Sequence, residues 1–207
     1  MIAIDMHPLL DLRWCLTTWP QGLGKIAVPS WMDEVCAAGL DTDFCDPDDH
    51  HKMAVRDLLR HGGFKPAGRS KPCWEYIVKA AQLDRFPRIN AAVDATNAAA
   101  LHGALPVSTV DVERTEGELR VGIAPSGSNY VFNLSGQTID IGGLLCLFDD
   151  CGPCANAVKD SQRTKTHDET TKTLTIVWGT KSLPDRAEQT MSWYREITKR
   201  LGGKNTG

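Results

Sequence analysis

The hydrophobic pattern of this chain changes period near Gly103, and that change limits its architecture. Upstream, apolar residues recur at helical spacing. Trp74, Ile77, Val78 and Ala81 mark one helix opened by Ser70-Lys71-Pro72, and the Ala-rich stretch 91–101 marks another, ended by Gly103. Downstream come short strand-like runs at 106–112, 119–123, 130–134, 138–141 and 144–148, punctuated by Gly, Ser, Asp and Asn. A further strand at 173–178 and an amphipathic helix at about 185–201 close the sequence. Helices, then strands, then a closing helix predict an α+β fold, with mixed or antiparallel sheets and packed helices, rather than alternating βαβ units.

The N-terminal part is less regular. Residues 1–28 predict one or two strands. Ser30 is the expected N-cap of a helix reaching Ala38, with Asp33 and Glu34 in its first turn. The acidic stretch 41–51 reads as a loop, and 53–59 as a helix ended by Gly62-Gly63. With 207 residues, one domain is expected. Its core would span 52–180, with an N-terminal layer at 1–51 and a C-terminal helix at 184–201.

A net charge of −3 argues against a general nucleic-acid coat, while leaving room for a local basic patch. The densest basic stretch holds Lys159, Arg163, Lys165 and Lys172, interleaved with Asp160, Asp168 and Glu169, and reads as a mixed solvated face. No basic leader opens the chain, and no apolar run approaches the ~18 residues of a membrane span. Seven cysteines without a framework fit a reduced, cytoplasmic protein. No cofactor is expected.

Most short motifs here have a plain reading. Cys151-Gly152-Pro153-Cys154 is the loudest. It is compatible with a redox dithiol, or with a metal site helped by Cys146 and His167, but a turn carrying two thiols is preferred. Gly22-Leu23-Gly24-Lys25 is too short for a phosphate loop. His50-His51 with Asp46, Asp48 and Asp49 reads as a solvated loop rather than a metal site. No Gly-x-Ser-x-Gly elbow is present. Segment 87–111 is the informative one. Its polar Asp94, Thr96 and Asn97 interrupt an otherwise apolar helix, and such groups need partners or a task. Capping or a buried hydrogen-bond network is the plain alternative.

That segment resembles the editing region of the phenylalanyl-tRNA synthetase β subunit. Ile89-Asn90, Val93-Asp94, Thr96-Asn97, Pro106 and Asp111 fall at the family's offsets. Glu116-Gly117-Glu118-Leu119, Phe148-Asp149-Asp150 and Asp168-Glu169-Thr170-Thr171 resemble its later turns and strands, and Arg69-Ser70-Lys71-Pro72 and 161–166 resemble free-standing relatives. The resemblance covers roughly 52–180. It implies an editing-domain-like fold and a pocket for the aminoacylated 3′ end of tRNA. The implied activity is deacylation of tRNA carrying tyrosine in place of phenylalanine. Thr96 and Asn97 would place the ester and its attacking water. The family's His falls on Ser108, completing the expected catalytic set. Asn90, Asp94, Gln162, Arg163, Thr164 and Thr166 are the expected substrate-binding residues, with Gln162 at the family's acidic position. Two departures follow: a hydroxyl at 108 is no base near neutral pH, and a neutral Gln162 offers a tyrosine hydroxyl no charge.

Three functions follow as expectations. The first is a trans-acting aminoacyl-tRNA deacylase. The second is a non-catalytic module that binds tRNA or an aminoacyl group. The third, less favoured, is a thiol-redox protein built on Cys151 and Cys154. A homo-oligomer or a partner enzyme is compatible with all three.

Overall fold

A computed structural model describes residues 2–38 and 47–207. The longest pairing joins the N-terminal segment to the C-terminal part. Strand β2 (Leu10–Thr18) runs antiparallel to β9 (Lys172–Thr180) over the full length of both. β3 (Val107–Asp111) lies on the other side of β9, and β10 (Lys204–Thr206) on the other side of β2, so this sheet has the order β10-β2-β9-β3. Helices α4 (Ala91–Gly103) and α5 (Arg186–Arg200) pack on it and on each other.

The second sheet has the order β1-β4-β7-β8: β1 (Ala3–Ile4), β4 (Arg120–Ile123), β7 (Leu145–Asp149) and β8 (Gly152–Asn156). Only β1 and β4 pair in parallel. A small hairpin of β5 (Asn129–Val131) and β6 (Thr138–Asp140) stands apart. The remaining helices are α1 (Trp31–Val35), α2 (Asp49–Arg60) and α3 (Cys73–Gln82). The fold is α+β, with mixed sheets and packed helices.

α4 is the central helix, and nearly every residue on it is buried. Its alanines let neighbours approach closely, and Gly103 completes that pattern. A Cβ there would sit 2.3 Å from Thr190 Oγ1 on α5, so Gly103 is a packing glycine as much as a helix end. The left-handed turn that follows falls on Ala104.

Four local expectations need correction. α2 begins at Asp49 because the Asp48 carboxylate accepts from the His51 amide at 2.7 Å, so His50 and His51 are helical. His51 is buried, its Nε2 lying 2.8 Å from the Ala104 carbonyl. The rest of the expected 41–51 loop, including Asp46, falls largely outside the described residues. Ser30 makes no side-chain cap, and α1 stops at Val35. The Cys-Gly-Pro-Cys stretch is a turn only at its start: β8 runs from Gly152, tolerating Pro153 because β8 is an edge strand. β10 was not expected.

Candidate functional site

The two sheets come together where β3, an edge strand, passes β8. A cavity of about 430 Å³ opens there, beneath the N-terminal half of α4. That volume falls within the ~300–1,000 Å³ of small-molecule sites. Its apolar wall comes from Ile89, Val93, Val107, Phe132 and Val158. Its polar groups include Thr96, Asn97, Thr109, Asp160 and Thr166. Lys159 and Lys165 add positive charge, and Cys73 approaches from the start of α3.

α4 is anchored by its own sequence. The Asn90 side chain caps it by accepting from the Val93 amide at 3.0 Å, and donates to Thr166 Oγ1 at 3.2 Å. Asp94 is buried, accepting from the Ile89 amide at 2.7 Å and pairing with Arg88 Nε at 2.8 Å. These contacts set the turn of helix from which Thr96 and Asn97 project.

Thr96 is the first of a run of hydroxyls. Its Oγ1 donates to the Ala92 carbonyl and lies 2.5 Å from Thr109 Oγ1. Thr109 meets Thr175 at 2.5 Å, and Thr175 meets the Tyr194 hydroxyl at 2.8 Å. Tyr194 reaches Thr17, which donates to Asn205 on β10 at 2.9 Å. This neutral network satisfies the buried polar groups of one face of the sheet and ties the cavity wall to α5. The Asn97 carboxamide is different. Among the described residues no hydrogen bond engages it, and it lines the cavity.

Of the residues expected from sequence, Thr96, Asn97 and Thr166 are brought together in the cavity wall, with Asn90 bonded to the last. Ser108 is not among the lining residues. It is 2% exposed; its hydroxyl bonds the Asn156 carbonyl at 2.9 Å and accepts from Trp178 Nε1 at 2.9 Å. Strand alternation explains this: the side chains of Val107 and Thr109 line the cavity, so that of Ser108 turns to the opposite face. Asp94, Gln162, Arg163 and Thr164 are also absent from the lining. Arg163 forms a two-pronged pair with Asp149, at 2.8 and 2.7 Å, and Thr164 Oγ1 donates to the Cys154 carbonyl. They hold the 3-10 turn Gln162–Thr164 against β7 and β8.

Sequence reasoning missed Asp160. It sits just beyond β8, against the open edge of β3. It accepts from the Asn156 amide at 3.1 Å. Burial pushes its carboxyl up to about 6, opposed by the Asn156 amide and by Lys165. Burial lowers the Lys165 ammonium, which donates to the Phe132 carbonyl at 2.6 Å. Lys159 Nζ lies 4.1 Å from the centre of the Phe132 ring. The only local signal was an acid set between basic residues, which a solvated loop shares.

Cys151 and Cys154 are both free, and neither thiol is lowered. Cys151 is exposed and its thiol is raised by its hydrogen bond with Glu116, while Cys154 is buried and pushed up to about 12. A redox pair needs a lowered thiol. Among the described residues no group of three or more His, Cys, Asp or Glu is placed to hold a metal ion. No helix among them is long and apolar enough to cross a membrane.

Comparison with protein-family models and with curated proteins finds no match. Among solved structures, an N-terminal fragment of the phenylalanyl-tRNA synthetase β subunit from Pyrococcus horikoshii is similar, with a TM-score of 0.47 and 10% identity. The match covers 60% of this chain and 42% of that one, a distant structural likeness that transfers no residue role.

Proposed function

We propose that the cavity under α4 receives the aminoacyl end of a charged tRNA and that the chain hydrolyses the ester there. The observation that carries this reading is the free Asn97 carboxamide, held beside Thr96 in a largely apolar cavity of about 430 Å³. Such a cavity takes an amino-acid side chain against Val93, Val107 and Val158, and leaves the ester at its polar rim. Asn97 Nδ2 is a donor for the oxygen that gains charge when water attacks the carbonyl. Lys159 and Lys165 offer positive charge to the phosphates of the tRNA end. An aminoacyl ester is already activated, so orienting a water and stabilising the oxyanion suffice. The resemblance of segment 87–111 to an editing region points the same way. On this reading the chain acts in trans on a charged tRNA.

The test is a panel of tRNAs mischarged with different amino acids, followed for ester loss. The reading predicts release for at least one of them. Asn97→Ala is expected to lower kcat/KM about a hundredfold, the scale of removing one oxyanion donor. Tight binding of a charged tRNA with no release would support the non-catalytic binding module instead.

A further inference from the structure

We propose that the Asp160 carboxylate accepts the proton of the water that attacks the bound ester. The inference rests on the hydrolase reading of the same cavity. Asp160 lines that cavity and is oriented by the Asn156 amide at the end of β8, which donates to its carboxylate at 3.1 Å. Two buried carboxylates of the molecule are tied to a guanidinium, Asp94 to Arg88 and Asp149 to Arg163, and a third, Asp111, meets the His167 imidazole and the Thr170 hydroxyl. Among the described residues no ion pair engages Asp160; the Lys165 ammonium donates to the Phe132 carbonyl and acts on Asp160 only as a nearby charge. It is therefore an oriented carboxylate with no direct ion-pair partner among the described residues, facing the space where substrate would lie.

Its surroundings are consistent with that task. Cys73 on α3, Tyr130 on β5, Cys146 on β7 and Cys154 on β8 lie near enough to feel its charge, and burial raises all four, so they stay protonated at neutral pH. Lys159 and Lys165 supply the nearby positive charge. A carboxyl raised to about 6 is mostly ionised at pH 7 yet basic enough to hold a proton in the transition state. The step balances. A water O–H bond breaks and its proton passes to Asp160, while the water oxygen bonds the ester carbon. The tetrahedral intermediate then collapses, its bond to the ribose oxygen breaks, and Asp160 returns the proton to that oxygen. The products are the free amino acid and uncharged tRNA.

The experiment uses the full chain and the mischarged tRNA it hydrolyses best. The rate is measured from about pH 5 to about pH 8, across the range in which the carboxyl titrates. The wild-type rate should rise with a midpoint near pH 6 and then level. Asp160→Asn should lower kcat about a hundredfold or more, leave KM within a few-fold, and abolish that limb. Asp160→Glu should restore part of the rate together with the limb. Overturning results are an Asn variant with kcat within threefold of wild type, or one that keeps the limb. Hydrolysis by the wild type then keeps the cavity's function while discarding this role for Asp160. A wild type inactive on every ester removes both. Should Asp160→Asn fail to fold, the wild-type profile decides: a flat rate down to pH 5 contradicts the proposal.

Discussion

Trp178→Ala is expected to destabilise the protein by about 4 kcal/mol, the scale of emptying a buried indole site. Trp178 has no exposed surface and lies on β9, the strand that pairs with both β2 and β3. Its backbone amide donates to the Pro106 carbonyl and its indole N–H to Ser108 Oγ, so it fixes how β3 enters the sheet. For a chain of this length the change corresponds to a fall in Tm of roughly 12 °C. Trp178→Phe keeps most of the volume and loses the indole donor, and should cost about 1–2 kcal/mol. Thermal and urea unfolding check both. An alanine variant within about 1 kcal/mol of wild type would contradict the packing described.

The second large effect concerns Arg163. Arg163→Ala is expected to cost about 2 kcal/mol at neutral pH, and the cost should shrink in acid. The Asp149 side chain has no exposed surface, and removal of its guanidinium leaves a buried charge. About a third of the Arg163 side chain is exposed, so solvent screening places the cost below the usual range for buried pairs. Burial alone would raise the Asp149 carboxyl. The Arg163 guanidinium and the Glu116 and Cys151 amides outweigh it and hold it below the usual value. A depressed carboxyl contributes stability that is present above its unfolded pKa, about 4, and is lost as pH falls through the lower folded value. Without Arg163 the burial effect is unopposed by that charge, and protonation relieves the buried carboxylate. The two unfolding curves should therefore differ most near pH 7 and converge below about pH 4. A difference independent of pH would assign the cost to lost packing instead.

The fold class was readable because its signal is periodic. The α4 pattern and the alternating runs after Gly103 survive in the structure as helix and strands. What failed were features set by distant neighbours. Ser108 and Thr109 differ by one position, and in a strand one position decides the face; nothing within 106–112 states which face meets α4. Asp160 acquires its character from burial in a cavity whose other walls are remote in sequence, so its own neighbours make it look solvated. β8 was hidden by Gly152-Pro153, which an edge strand accepts and a central strand would not. Asn90 and Asp94 were read as binding residues. Their observed contacts cap and brace α4, so any effect on a ligand passes through the helix they hold.

The same geometry explains why the expected residues separate. Thr96 donates its proton to the Ala92 carbonyl and accepts from the hydroxyl run, shaping the wall, whereas Asn97, one residue on, keeps its carboxamide free. Thr96→Ser should therefore be tolerated better than Asn97→Ala in any ligand-binding assay.

The cavity itself is the central claim, and a crystal of the full chain soaked with an aminoacyl-adenosine whose ester is replaced by an amide tests it most directly. The account predicts the amino-acid side chain against Val93, Val107 and Val158, with the amide carbonyl within hydrogen-bonding reach of Asn97 Nδ2 and the adenosine directed toward Lys159 and Lys165. An empty cavity at saturating analogue, or the analogue seated elsewhere on the protein, would contradict it.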